Sequence, residues 1–282
     1  METTGKHFDV TGLLCEVIRH FYCIQAPPNF KTITQHLSPN LEMMLVFNFG
    51  APVRVSFAED GFNELEINTV ALIGPLRKML NYEVLASIDI IVVVFGADGF
   101  YRLFQLPVNE LNGDHIIDPD AFFHTTDFHT LWETLKSLPS LDDRIQFFQD
   151  YAVSLIQEGD DITTSLVNGI AYFDNPSIQP VRAMAIDQNV SERTIQLWFK
   201  KQLGFSPKEL LRFLRFKQVI NRILTQQNPV VDWYTIIEEF NYHDQSHLIK
   251  DFHQYLGTTP QKFIKEIIGK EFCVTKPGKY YS

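Results

Sequence analysis

The chain has 282 residues, enough for two ordinary domains. Its hydrophobic content of 45% and charged content of 21% are typical of globular proteins and exclude a largely disordered chain. No apolar run reaches the roughly 18 residues of a transmembrane helix. The first residues, METTGKHFDVTG, lack the basic and then apolar layout of a signal peptide. We therefore expect a soluble, cytoplasmic protein.

The net charge of −10 is divided unevenly along the chain. Residues 1–161 carry 9 Lys and Arg against 23 Asp and Glu, whereas residues 162–270 carry 13 against 10. An acidic first half and a weakly basic second half are compatible with one domain that contacts phosphates and another that stays away from them.

The acidic half begins with a pattern of short strands. Four segments alternate or are dense in β-branched residues, namely 41–50, 52–57, 64–75 and 87–99. Their close spacing, without helical patterns between them, predicts a small antiparallel sandwich or barrel.

Two helices are predicted after the strands, at 121–138 and 140–157. In the second, Ser140 can cap the helix, and Ile145 and Phe148 begin an apolar face. We interpret this second helix either as a dimer surface or as a cover on the sheet.

Motifs of catalysis are missing from this half. The sequence has no GxSxG turn, no Walker loop and no GxGxxG after a strand. Its histidines are scattered; His124 and His129, with Asp127 between them, form the least ordinary group, which we interpret as structural. The three cysteines (Cys15, Cys23 and Cys273) lack CxxC spacing and are interpreted as buried free thiols. No catalytic residue, metal site or cofactor is predicted.

The second half contains an internal repeat. Residues 191–211 align with 244–264 at an offset of 53 residues. The aligned pairs comprise a cap residue, three spaced apolar residues, a glycine, a hydroxyl and a proline: Ser191/Asp244, Ile195/Leu248, Phe199/Phe252, Leu203/Leu256, Gly204/Gly257, Ser206/Thr259 and Pro207/Pro260. Such agreement predicts a duplicated supersecondary unit.

Each repeat has the layout of a helix-turn-helix. A short helix leads to a tight turn at Asn189 or Asn241, and a capped second helix follows. In this motif the second, recognition helix enters the major groove of DNA. The short helices are predicted at 181–190 and 231–243, and a long helix at 206–226 joins the units.

Two histidines near the second recognition helix raise the alternative of a metal site. His243 and His247 are four residues apart, a spacing that places two ligands on one face of a helix. His243, however, precedes the cap, so the helical geometry fails, and the third ligand would have to be Asp244 or Asp251. We therefore predict that His247 faces DNA; the remaining alternative is a solvated or locally bonded histidine.

These motifs resemble the paired helix-turn-helix domain of the AraC/XylS transcription regulators. The likeness covers residues 162–268 through Ala185, SERT, Phe199 and LGFSP in the first unit and YHDQSHLIKDFHQYLGTTPQKF in the second. The first half, through LEMMLVFNFG, ALIGP and the acidic helix at 140–157, is similar to an uncharacterised domain found ahead of such DNA-binding domains.

The resemblance implies which residues contact DNA. It places Arg193, Thr194, Gln196, Gln245, Ser246 and Lys250 at base-reading positions. The helical pattern adds Leu197 and His247 to the same surface, and Lys200, Lys201, Arg212 and Arg215 are predicted to contact phosphates.

The chain departs from the family pattern at four positions. Leu197 stands where a basic residue is frequent, which suggests contact with a thymine methyl group instead. Asn189 and Asn241 replace the usual glycines, and Ile237 replaces the usual alanine, which puts the angle of the second recognition helix in question.

We therefore predict an α+β chain with two domains and a tail. Residues 1–158 form a β-rich sandwich- or barrel-like domain with helices, for ligand sensing or dimerisation. Residues 162–270 form an all-α domain of two helix-turn-helix units joined by a long helix, and residues 271–282 form the tail.

The predicted function is sequence-specific regulation of transcription, interpreted as activation, with double-stranded DNA as the partner. A small-molecule effector, a second copy of the chain and RNA polymerase are further candidate partners. One alternative is an enzyme, either a β-barrel catalyst or a DNA-repair protein, with a DNA-targeting helical domain. Another is an interaction module whose helix-turn-helix units bind protein.

Overall fold

The computed structural model describes residues 4–57, 62, 65–106, 108, 111, 115–156, 166, 169–174, 178–226, 231–266 and 272–273. The predicted domain boundary at 158–162 and most of the predicted tail lie outside the described residues. Within these residues, no helix combines the length and apolarity needed to cross a membrane.

The first half, together with one short strand near the C-terminus, forms two facing sheets. In the described residues, one sheet has the strand order β1-β2-β9-β4-β7-β10 and the other β11-β3-β8-β5-β6. Neighbouring strands are antiparallel, except that β11 runs parallel to β3. The strands are β1 (Thr4–Asp9), β2 (Ile18–Gln25), β3 (Ile33–Leu37), β4 (Met44–Asn48), β5 (Val53–Phe57), β6 (Glu66–Ile67), β7 (Val70–Ile73), β8 (Leu80–Val84), β9 (Asp89–Phe95), β10 (Ile116–Ile117) and β11 (Phe272–Cys273).

The predicted antiparallel sandwich is confirmed, with two differences. Segment 64–75 contains two short strands, β6 and β7, and the four predicted segments do not include β1, β2, β3, β8, β10 or β11. The sheets bury one apolar layer between them, in which Val46 and Ile90 of the first sheet pack with Val55 and Leu80 of the second.

The outer face of the first sheet is covered by helices. The helices of this half are α1 (Gly99–Phe104), α2 (Pro119–Phe123), α3 (Asp127–Ser137) and α4 (Leu141–Leu155). Ile145 and Phe148 of α4 pack with Phe47 of the sheet. The inner face of this helix therefore covers the sheet. Ser140 caps α4 as predicted, since its Oγ accepts a hydrogen bond from the backbone N–H of Asp143 at 3.1 Å.

The single helix predicted at 121–138 is wrong: the segment forms α2 and α3 instead. His124 ends α2 in the left-handed conformation, with φ 56°. The Asp120 carboxylate then accepts hydrogen bonds from the backbone N–H groups of Phe128 and His129, at 3.1 and 2.7 Å. These bonds satisfy the free N–H groups at the start of α3, and so stabilise the break.

The second half is helical, as predicted. Its helices are α5 (Pro180–Asp187), α6 (Glu192–Trp198, continued by a π-helical turn Phe199–Leu203), α7 (Pro207–Thr225), α8 (Trp233–Glu239), α9 (Gln245–Leu256) and α10 (Pro260–Glu266). They share one apolar core, which also contains Leu41 and Met79 from the sandwich. The predicted α+β class is thus confirmed.

Candidate nucleic-acid interface

The first helix-turn-helix unit consists of α5 and α6, which we call the first recognition helix. Asn189 makes the turn with φ 52°, a conformation that asparagine adopts more readily than most residues. The Ser191 side chain accepts a hydrogen bond from the backbone N–H of Thr194 at 3.1 Å and caps α6. Ile195 and Phe199 are fully buried, so the opposite face of the helix is exposed to solvent.

The second unit repeats this construction with α8 and α9, the second recognition helix. Asn241 makes the turn with φ 54°, and the Asp244 side chain accepts a hydrogen bond from the backbone N–H of His247 at 2.8 Å. This hydrogen bond holds the pKa of Asp244 below its usual value. Leu248 and Phe252 are fully buried, and Gly257 ends the helix with φ 68°.

The departures at the two asparagines and at Ile237 leave these turns intact. Ile237 is half-buried against the helical core, and its carbonyl accepts the backbone N–H of Tyr242 at 2.9 Å. The equivalent bond in the first unit joins Val190 to Ala185, also at 2.9 Å. Both turns therefore have the same hydrogen bond, despite the larger side chain in the second.

The residues predicted to read bases lie mainly on the protein surface, in the first two turns of each recognition helix. Thr194 and His247 are half-buried, and the others are exposed: Arg193, Gln196, Leu197, Gln245, Ser246 and Lys250. Leu197 is 57% exposed, so its apolar side chain has no cover within the described protein. The arrangement presents two short polar ridges, one in each unit.

The predicted phosphate contacts fall into two groups. Lys200 and Lys201 are exposed on the continuation of the first recognition helix. Arg212 and Arg215, on the connecting helix α7, are instead paired inside the protein with Asp251, which is fully buried on the second recognition helix. The side chains of these arginines retain 40% and 27% exposure.

Asp251 is the centre of a buried polar cluster. Its Oδ1 accepts from Arg212 Nε and Nη2 at 2.7 Å, and its Oδ2 accepts from the Tyr242 hydroxyl at 2.8 Å and faces Arg215 Nη2 at 3.5 Å. Burial, together with the adjacent Asp251 carboxylate, raises the pKa of Tyr242, so its hydroxyl remains a proton donor. The cluster fastens the second recognition helix to the connecting helix.

This role of Asp251 was not predicted from the sequence. A signal was present, because Asp251 lies three residues after Leu248 and therefore on the buried face of α9. A charge at such a position needs a partner, which the arginines 36 and 39 residues earlier supply.

His247 borders the same cluster. Its Nε2 lies 3.3 Å from Arg215 Nη2, and its ring meets the Tyr242 ring edge-on with the centroids 5.1 Å apart. His243 is 89% exposed and contacts only the neighbouring Asp244 among the interactions described, at 3.2 Å. In the described part of the chain, no three His, Cys, Asp or Glu residues are grouped to hold a metal ion.

Among the cysteines whose side chains the structure describes, only one matches the predicted buried free thiol. Cys15 is exposed, whereas Cys23 is buried. Burial raises the pKa of the Cys23 thiol to about 12, which keeps it protonated and unreactive. The alternative of a cysteine-dependent DNA-repair enzyme therefore lacks an activated nucleophile at this position.

Two family models match the chain. One, described as a helix-turn-helix domain, matches residues 184–266, and the other, described as a domain of unknown function, matches residues 11–117. The chain carries an AraC-type helix-turn-helix domain. The predicted resemblance is thus confirmed for both halves, and the protein is a DNA-binding transcription regulator.

Solved structures of ToxT from Vibrio cholerae are similar at low identity. An apo variant of ToxT is 10% identical with a TM-score of 0.38, over 92% of this chain and 98% of that chain. ToxT bound to an unsaturated fatty acid is 11% identical with a TM-score of 0.37, over 88% and 94%. No curated protein matches this chain.

Proposed function

We propose that this AraC-type regulator binds DNA by inserting its two recognition helices into successive major grooves on one face of the duplex. The observation that carries the proposal is the repeated pair of exposed polar ridges on capped helices that one connecting helix joins. Consecutive major grooves on one face of B-form DNA are about 34 Å apart, and the operator would carry two half-sites at that spacing.

Specificity is assigned to the side chains of the two ridges. In the first unit, Arg193 and Gln196 have the donor and acceptor groups that suit guanine and adenine edges, with Thr194 beside them. Leu197 would contact a thymine methyl group. In the second unit the corresponding set is Gln245, Ser246, His247 and Lys250, and each good bidentate contact contributes about 1–3 kcal/mol.

Phosphate contacts add attraction without sequence preference. Lys200 and Lys201 are exposed and can take this role. Arg212 and Arg215 would contribute through their exposed portions, although Asp251 neutralises part of their charge. With a small excess of basic residues in this half, we expect weak non-specific binding that falls further as salt concentration rises.

The first domain is proposed to regulate the second. We assign residues 1–158 to sensing a small-molecule effector or holding a dimer, residues 162–270 to DNA binding, and 271–282 to a tail. The outer side of α4, where Phe147 and Val153 are exposed, is the proposed dimer surface. Following the family resemblance, we propose activation through RNA polymerase; a promoter–reporter assay in which deletion raises expression would instead indicate repression.

The direct test selects bound sequences from random duplex DNA with the full chain at a fixed salt concentration. We expect two enriched half-sites about one helical turn apart. The double substitution Gln245→Ala and Lys250→Ala should abolish enrichment of one half-site. Gln254→Ala, an exposed glutamine in the last turns of the same helix, is the matched control and should leave both half-sites unchanged. An unchanged selection with the double variant would contradict the site assignment.

A further inference from the structure

A short loop of the first domain makes polar contacts with the DNA-binding domain. Residues 74–79, which we call the brace loop, join β7 to β8 in the sandwich. Arg77 Nη2 donates a hydrogen bond to the carbonyl of Gly204 at 2.5 Å, and Arg77 Nε lies 3.5 Å from Glu209 Oε1. The backbone N–H of Met79 donates to the carbonyl of Tyr255 at 2.7 Å. The loop thus contacts both helix-turn-helix units.

Both carbonyl acceptors lie at the C-terminal end of a recognition helix. Gly204 follows the end of the first recognition helix, and Tyr255 is in the last turn of the second. Carbonyl groups at a helix C-terminus have no partner within the helix and carry partial negative charge, so a guanidinium and an N–H group are suitable donors. One loop of the sandwich therefore caps the C-terminal ends of both recognition helices.

The brace loop is itself firmly held. Leu76 is fully buried, its N–H donates to the carbonyl of Glu42 at 3.0 Å, and its carbonyl accepts from Leu41 at 3.0 Å. Leu41 and Met79 extend into the helical core with 7% and 4% exposure. The loop is consequently attached to the sandwich by backbone bonds and to the helices by apolar packing as well as by its polar contacts.

The loop leaves the DNA-facing ridges free. Gln245 and Tyr255 are ten residues apart on one helix, and Arg193 and Leu203 are ten apart on the other, which corresponds to about 15 Å of helix length. The acidic domain is thereby attached at the end of each recognition helix that lies far from the base-reading residues. Repulsion between its carboxylates and DNA phosphates is reduced by this placement.

We propose that the brace loop sets the relative orientation of the two recognition helices, with Arg77 as its principal positioning residue. The connecting helix α7 and the shared apolar core join the two units, and the brace loop adds a further link at the C-terminal ends of the recognition helices. Two ridges that are held in a fixed relative orientation lose less conformational entropy when they bind two grooves at once. Because the loop continues directly into β7 and β8, a rearrangement of the sandwich would change operator spacing preference or affinity. This inference rests on the proposed two-groove binding.

The test compares DNA with both half-sites, with one half-site, and with the half-site spacing lengthened by a few base pairs. Arg77→Ala should weaken binding to the two-site DNA about tenfold, leave single-site binding within about twofold, and reduce discrimination against the longer spacing. Arg77→Lys, which keeps a charged donor, should recover part of the loss. The matched control is Arg54→Ala, which removes a 2.7 Å ion pair with Glu83 inside the sandwich and should bind like wild type.

A readout without DNA separates the failure of this inference from failure of the proposed function. Hydrogen exchange of the full chain should show faster exchange at 200–206 and 253–258 in Arg77→Ala, and unchanged exchange there in Arg54→Ala. If wild type bound no sequence specifically, the proposed function would fall, and exchange would still decide whether Arg77 holds the helix ends. Equal weakening of binding to one-site and two-site DNA, or unchanged hydrogen exchange, would contradict the proposed role of the brace loop.

Discussion

Removing the buried carboxylate of Asp251 should destabilise the helical domain strongly. Asp251→Ala deletes the acceptor of Arg212, Arg215 and the Tyr242 hydroxyl. Loss of one partner of a buried ion pair costs about 3–5 kcal/mol when the other charge stays buried. Here the arginines are 40% and 27% exposed, so water can solvate them again, and we expect a loss of about 2–4 kcal/mol.

The assay is urea unfolding of the full chain, followed by tryptophan fluorescence. Trp198 and Trp233 lie in the helical domain and report on it directly. Glu239→Ala is the matched control, because it removes an acid paired with Arg222 at 3.5 Å where both side chains are over 40% exposed. That change should cost about 0–1 kcal/mol.

Asp251→Asn sharpens the comparison, since the amide keeps the shape and one acceptor oxygen but loses the charge. We expect a loss between those of Asp251→Ala and the control. If Asp251→Ala and Glu239→Ala lowered the free energy of unfolding equally, burial of Asp251 would have no energetic consequence, and the reasoning about the cluster would be refuted.

Three further variants test local features of the structure. Burial raises the pKa of Asp98 to about 6, so its negative charge destabilises the fold most above that pH. Asp98→Asn should therefore raise the free energy of unfolding by about 1–3 kcal/mol at pH 8. The gain should be smaller at pH 5 and should vanish below the pKa of Asp in the unfolded chain. Gly204→Ala should cost more than about 1 kcal/mol in urea unfolding, because φ is 77° and the added methyl would lie 2.9 Å from Pro75 Cγ; a neutral result would contradict the close approach. Asn241→Gly should leave the thermal unfolding temperature unchanged or raise it slightly, whereas Asn241→Val should lower it. Equal unfolding temperatures for the two variants would exclude the left-handed turn.

Much of the helical domain was predictable because its determinants are local. A cap such as Ser191 satisfies N–H groups three residues away, and Gly257 ends its helix by its own φ. The buried stripe of each recognition helix follows from spacings of four residues. Local patterns do not decide every position: Leu224 is apolar and yet is 38% exposed near the end of the connecting helix.

The first half was less predictable because strands acquire their environment from distant partners. β2 lies between β1 and β9, and its residues are buried on both faces without strict alternation. The break at His124 likewise depends on Asp120 capping the following helix. The spacing of apolar residues, with a period of two in strands and 3.6 in helices, does not predict such contacts.

By itself, the sequence determined that two capped helix-turn-helix units follow one another and which side chains each presents, because caps, turns and apolar spacing act within a few residues. The tertiary structure alone decided that Asp251 binds Arg212 and Arg215, and that Arg77 reaches Gly204, 127 residues away. Contacts between residues so far apart form only when the chain packs, since the partner of a buried charge or a free carbonyl is chosen by geometry and not by proximity in the chain.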